Sequence, residues 1–403
     1  MQKKRPTAAS GPLAGYEAGY RAELAERGYK PRTLTTLIGL TRRLSCWMES
    51  DGYAAEELSS AVAEEFLADV RASGRAFQPT LAKLGSLFEY LRRVDAVPAE
   101  PAPVPTTAIE VTVEGFRCYL AIERGLVPAT VDTYARAATT FLSWLPDHGR
   151  ADLAGLAAGD VVGFVTDVCP RHSTGWAKLL LTGLRSFLRF AHVTGLVPVS
   201  LVGAVPTSAG WSGTSLPRGV APGDVNRLLA SCDRRRAKGR RDHAILLLLV
   251  RLGLRAAEVA GLCLEDVDWR AGVILTHGKG GRDERLPLPA DVGQAVASYL
   301  QRGRPATSSR ALFLRVHAPI GPLRSGGVAQ VVRDACGRAS VDVVGPHRLR
   351  HTAATEMLRA GATLSEVAQV LRHHSAATSA IYAKVDHLAL GELALPWPAG
   401  VSR

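Results

Sequence analysis

The sequence predicts a mainly helical protein with a small β-sheet, and three observations point there. Apolar residues recur at helical spacing through most of the chain, as in Leu34, Leu37, Leu40, Leu44 and Trp47. A β-rich run at 272–277 (GVILTH) and a second at 284–288 flank a glycine-rich turn, which is a hairpin pattern. Two stretches rich in Pro, Gly or Ser, 99–108 and 199–222, break the helical pattern. They divide the 403 residues into blocks at 12–98, 110–198 and 216–390, with linkers at 99–109 and 199–215 and a tail at 391–403.

The first two blocks are similar to each other. Gly28, Pro31, Thr33 and Trp47 recur 97 residues later as Gly125, Pro128, Thr130 and Trp144. Phe66, Asp69 and Val70 recur after 98 residues as Phe164, Asp167 and Val168. Leu84, Ser86, Val97 and Pro98 recur after 100 residues as Leu184, Ser186, Val197 and Pro198. The small drift fits loop differences between two copies of a bundle of about four helices. Trp47 and Trp144 are then core residues. Arg42, Arg43, Arg92 and Arg93 in one copy, with Arg136, Lys178, Arg185 and Arg189 in the other, are expected to offer phosphate contacts from exposed faces.

The third block opens with a helix over 221–232, entered through Pro222 and Asp224, and continues into a buried helix over 242–252. The hairpin follows, and then helices from 324 to 393, separated by Gly345-Pro346 and by Gly361.

Composition bounds the function. At 47% hydrophobic and 21% charged residues the chain is globular rather than disordered. A net charge of +12 attracts polyanions through counterion release, although RNA-binding and membrane-surface proteins share that signal. Only 6% of residues are aromatic, which disfavours a base-stacking platform for single strands. The six cysteines are scattered without a CxxC pair, so neither a disulfide framework nor a thiolate zinc site is expected. The N-terminus carries no apolar leader and the longest apolar run, 244–250, stops at Arg251, so a cytoplasmic protein without a membrane span is expected.

Four features of the third block carry chemistry. Arg255 and Glu258 follow the turn that ends the apolar helix; taken singly they would make an ordinary salt bridge. Lys279 sits on the glycine-flanked hairpin tip, within reach of a phosphate or a leaving alkoxide, although a lone lysine there is usually just solvated. His347 and Arg350 lie three apart at a helix start marked by Pro346, where the helix N-terminus favours an anion. His347 and His351, four apart, raise a metal site, but no glutamate lies between them and no third ligand is evident. Finally, Tyr382 follows His373 by nine residues.

The order Arg255, Lys279, His347-x-x-Arg350, His373, Tyr382 resembles that of the tyrosine recombinase (phage integrase) family. Each piece alone is weak, but an ordered match over much of the third block is specific. The resemblance implies a helical SAM-like core-binding domain ahead of an α-rich catalytic domain; with the internal repeat, the first two blocks become tandem helical SAM-like core-binding domains, one more than the family leads one to expect. It departs from the family at Arg372, where a glycine is usual; a side chain there would crowd the tight turn before His373.

The resemblance further implies a site-specific DNA recombinase or integrase acting in integration, excision or transposition of a mobile element. Tyr382 would attack the scissile phosphate, leaving a 3′-phosphotyrosyl link and a free 5′-hydroxyl. Arg255 and Arg350 would brace the pentavalent phosphorus, and Lys279 would protonate the leaving oxygen. His347 would take the tyrosine proton or orient the phosphate, and His373 would donate to it. No metal or other cofactor is expected. The implied partners are double-stranded recombination sites and a homotetramer, or a mixed recombinase assembly, on DNA. Rival readings are a DNA-binding regulatory or architectural protein of the same fold that has lost its chemistry, a type IB topoisomerase, and a metal nuclease built on His347 and His351.

Overall fold

The computed structural model describes residues 10–73, 79–99, 104–150, 152–206, 219–278 and 283–372. It is mainly helical with one three-stranded sheet. The chain divides into two compact units, one made of residues 100–212 and the other of residues 1–99 with 213–403.

Residues 13–97 enclose their own apolar core from four helices, α1 Glu17–Glu26, α2 Pro31–Ser50, α3 Ser60–Ala72 and α4 Leu81–Arg93. Proline at N1 starts α2 and the Ser59 hydroxyl caps α3. Of the apolar stripe that the sequence displays, Leu40 and Leu44 are buried, while Leu34, Leu37 and Trp47 pack half-buried against them. Gly28 adopts a positive φ of 78°, and a Cβ there would overlap Ile320, so both conformation and contact require glycine.

The second unit repeats the order with α5 Ala108–Cys118, α6 Pro128–Asp147, α7 Ala158–Val168 and α8 Thr174–Val193. The correspondence extends to side chains. The Trp47 indole N–H donates to Asp69 at 2.8 Å and the ring meets Phe66; the Trp144 indole donates to Asp167 at 3.0 Å and meets Phe164. Both α2 and α6 span 20 residues, start on proline and follow a glycine of positive φ. Helix α5 begins inside the Pro-rich stretch expected to be linker, because Thr107 and Glu110 form a capping box. Leu201 and Val205, beyond α8, join the core of this unit.

In the third block, α9 Pro222–Ala230 and α10 Ala237–Arg251 lead into α11 Ala256–Gly261. Strands β1 Val267–Asp268, β2 Val273–His277 and β3 Asp283–Pro287 form an antiparallel sheet in chain order, with Leu275 opposite Arg285. Helices α12 Ala290–Arg302, α13 Ser325–Ala339, α14 Pro346–Arg359 and α15 Leu364–Leu371 follow among the described residues, and the helical expectation for 373–393 lies outside them. Helix α10 is buried nearly all round, from Ala244 to Leu249, and packs against α12, α13 and α14. Strand β1 and helix α12 add to the elements expected from the sequence. Among the described residues no helix is long and apolar enough to cross a membrane.

Candidate functional site

Three helix boundaries meet at a cavity of about 460 Å³ lined by Leu254, Arg255, Ala256, Ser325, Gly326, Ala329, Pro346, His347 and Arg350. Helices α13 and α14 both begin on its wall, at Ser325 and Pro346, so their unpaired N–H groups favour an anion there. The structure therefore brings together Arg255, His347 and Arg350, which lie up to 95 residues apart in the chain. The α13 residues of the wall are not marked by any motif; the only sequence signal is a helix start at Arg324-Ser325-Gly326.

Arg350 is 2% exposed and its guanidinium works as a tie. It donates to the carbonyl of Gly253 at 2.6 Å and, in a short hydrogen bond, to that of Leu371. Gly253 must be glycine: its φ is +59°, and a Cβ would stand 2.5 Å from Leu371 Cδ2. The turn carrying Arg255 and the end of α15 are thus fixed to one buried cation.

Arg255 is the more open of the two, with its side chain 38% exposed. Its Nη1 donates to Glu258 Oε1 at 2.6 Å, and Glu258 Oε2 accepts from the Arg255 amide at 2.8 Å, capping α11. The ordinary salt bridge is therefore present, and the same arginine lines the cavity. Its Nη2 also donates to the Arg372 carbonyl at 3.4 Å.

Arg372 does not break the turn it was expected to crowd. It takes the left-handed conformation itself, at φ 55° and ψ 51°, at a cost of about 1–2 kcal/mol that glycine would avoid. Its side chain folds inward and donates to Glu258 Oε2 at 2.7 Å. Burial pulls its pKa below the ordinary arginine value, opposed by Glu258.

His347 is held below the ordinary histidine pKa by burial, then by Arg350 and Arg255. Burial, His347 and Arg350 push His351 down to about 4. The two rings meet edge-on, 4.4 Å apart between centroids. Among the described residues no group of three or more His, Cys, Asp or Glu is placed to hold a metal ion. A neutral His347 keeps a ring nitrogen able to accept a proton.

Lys279, His373 and Tyr382 lie outside the described residues. The strands on either side of Lys279, β2 and β3, are paired, and His277 at the end of β2 bridges Asp283 at 2.6 Å and Asp266 at 3.0 Å.

The basic residues expected to touch phosphates in the helical blocks divide into two groups. Arg42 is held by Glu17 through two 2.7 Å hydrogen bonds, Arg93 by Glu23, and Arg185 by the Val205 and Pro206 carbonyls. Arg92 stacks over Phe88 and Arg43 bonds the Gly39 carbonyl. For Arg42 and Arg185, both half-buried, the expected exposed role gives way to an internal one, because an arginine beside buried surface is stable only when paired, while Arg93 stays exposed although it pairs with Glu23. Arg136, Lys178 and Arg189 remain exposed.

Residues 220–388 match the phage integrase family model. A putative integrase/recombinase of Sinorhizobium fredii, y4rA, is 41% identical over 396 residues, covering 96% of this chain and 95% of its own. The chain belongs to the phage integrase family. Tyrosine recombinase XerD of Mycobacterium leprae is 33% identical to this integrase-family chain, covering 72% of it and 96% of its own length. Over a quarter of the present chain thus lies outside that match, whereas y4rA matches nearly throughout.

Among solved structures, the XerH recombinase bound to palindromic difH DNA has the same fold, with a TM-score of 0.58 at 19% identity over 73% of this chain and 98% of that one. The Tn1549 transposon integrase bound to circular-intermediate DNA gives 0.53 at 14% identity, over 70% and 99%. This recombinase is accordingly a DNA-strand-cleaving and rejoining enzyme of mainly helical fold with a small sheet.

Proposed function

We propose that this recombinase cuts DNA through Tyr382, forming a 3′-phosphotyrosyl bond and releasing a 5′-hydroxyl, in the integration, excision or transposition of a mobile element. The observation that carries the reading is the cavity where Arg255, His347 and Arg350 converge, tied through Arg350 to the end of α15, eleven residues before Tyr382 in the chain. A phenol is a better leaving group than an alkyl alcohol, since its pKa is about 10, so the ester keeps the bond energy for rejoining.

The roles divide by position. Arg255 and Arg350 face the non-bridging oxygens of the phosphate as charge grows there. Neutral His347 takes the phenolic proton, and Lys279 returns a proton to the departing 5′-oxygen. His373 donates a further hydrogen bond to the phosphate. Fixed cations take the charge-stabilising part that metals play in many nucleases, so no cofactor is needed.

Two N-terminal helical bundles, bounded at 12–98 and 110–198, precede a catalytic domain at 216–390; the repeated Trp–Asp hydrogen bond supports their being copies. The working assembly is a homotetramer on two paired sites, because exchanging four strands needs four active tyrosines. A mobile-element role is supported by the similarity to y4rA and by the Tn1549 transposon integrase among the structural neighbours.

An adduct-capture experiment tests the reading and finds the target site at the same time. The chain is incubated with fragmented genomic DNA of its host in EDTA and denatured in SDS, and the DNA-linked peptides are sequenced. The expected peptide contains Tyr382, and the attached DNA ends reveal the site. A DNA-linked peptide lacking Tyr382, or adducts abolished by EDTA, would refute the reading.

A further inference from the structure

Arg372 occupies a conformation that suits glycine, yet its side chain is 2% exposed and points into the machinery rather than away from it. Glu258, its partner, is 4% exposed and carries two guanidinium groups at once: Arg255 on Oε1 at 2.6 Å and Arg372 on Oε2 at 2.7 Å. Arg372 Nε also approaches Glu284 Oε2 at 3.9 Å, on the strand that follows the Lys279 turn. Among the described residues, neither Nε nor Nη1 of Arg372 has a hydrogen-bond partner, although both are buried.

Glu258 is shared by two guanidinium groups, with Glu284 at 3.9 Å from Arg372 only a distant second counter-charge, and a buried arginine with unpaired donors is costly unless it serves another purpose. Were Arg372 absent, Glu258 would belong to Arg255 alone. A bidentate one-to-one pair would hold the Arg255 guanidinium against Glu258 and offset its charge. With Arg372 occupying Oε2, Arg255 is restricted to a single side-chain contact on Oε1. Its Nη2 reaches only the Arg372 carbonyl, at a long 3.4 Å, and the charge of the guanidinium stays available at the cavity.

We propose that Arg372 is a positioning residue for DNA cleavage, which by sharing Glu258 keeps the Arg255 guanidinium directed at the scissile phosphate. The inference rests on the proposed function above. Arg372 does not itself touch the DNA; its effect belongs to the chemical step and not to binding.

The experiment compares the full chain with Arg372→Gly, Arg372→Asn and Arg372→Lys on a nicked duplex carrying the site recovered from the adduct. Three quantities are read: the rate of covalent-adduct formation at saturating DNA, the Kd for the same duplex, and thermal melting. Glycine and asparagine both accept the left-handed backbone, so neither strains the turn. The expected result is an adduct rate at least about tenfold lower for both, a Kd within about threefold of the unchanged chain, and partial recovery with lysine. Rates equal to that of the unchanged chain in the glycine and asparagine forms would overturn the inference. So would a loss confined to Kd, or an equal loss in all three variants accompanied by a lowered melting temperature. If the unchanged chain forms no adduct, this inference and the proposed function fall together; an active chain indifferent to Arg372→Gly removes this inference alone.

Discussion

Arg255 and Arg350 are chemically alike but held in opposite ways, and the difference is measurable. Arg350 is buried and satisfies two backbone carbonyls, so Arg350→Ala should cost about 3 kcal/mol or more in urea unfolding. Arg255 is partly open and Glu258 keeps Arg372 as a second partner, so Arg255→Ala should cost no more than about 1 kcal/mol. Both should lose the covalent adduct; equal stability losses would contradict these placements. Two histidines give opposite pH signatures. His351 has a folded pKa of about 4, below its unfolded value, so the stability it contributes is complete above about pH 6.5 and is lost as pH falls toward 4. His277 is raised by Asp283 and Asp266, so its contribution is complete below about pH 6.5 and is lost as pH rises through its folded value. Melting curves should flatten on the acid side in His351→Gln and on the alkaline side in His277→Gln; an unchanged pH profile in either variant contradicts that assignment. Arg255, His347 and Arg350 are legible in the sequence because a motif marks each. The sharing of Glu258 is not, since Arg372 lies 114 residues away and only the fold joins them.

At the scale of elements, the internal similarity predicts matched energetics. Each tryptophan–aspartate hydrogen bond should be worth about 1 kcal/mol, so Asp69→Ala and Asp167→Ala should each destabilise their own helical core by a similar amount. Unfolding followed by tryptophan fluorescence in the two variants checks this; a several-fold difference between them would show that the two bundles are not equivalent. Helices with strong boundary signals are readable: proline at N1 starts α2, α6, α9 and α14. Strand β1 is not, because two residues carry no periodicity and the pairing of Val267 with Ile274 is a tertiary event. Helix α12 is hard to see although Val292, Ala295, Val296 and Tyr299 repeat at helical spacing, since small residues dilute its apolar face. The start of α5 is masked by the prolines just before it, while the capping box of Thr107 and Glu110 decides it.

Across the whole molecule, charge is distributed unevenly. Residues 1–215 hold 22 Lys and Arg against 21 Asp and Glu, whereas residues 216–403 hold 27 against 16. The polyanion attraction implied by the overall charge therefore resides in the third block, while Arg42 in the first helical block is spent on the Glu17 carboxylate. DNA affinity should fall steeply with salt, with a log–log slope near about −0.9 for each phosphate neutralised. Charge-removing substitutions in the third block should flatten that slope more than Arg42→Ala, a change expected to act on stability; the reverse ranking would contradict the assignment. The most direct test of Tyr382 as the nucleophile is the adduct assay on Tyr382→Phe beside the unchanged chain, using the recovered nicked duplex. DNA affinity should be unchanged and the SDS-resistant DNA–protein complex completely lost. A complex that persists in Tyr382→Phe would contradict the assignment of that hydroxyl and the chemistry built on it.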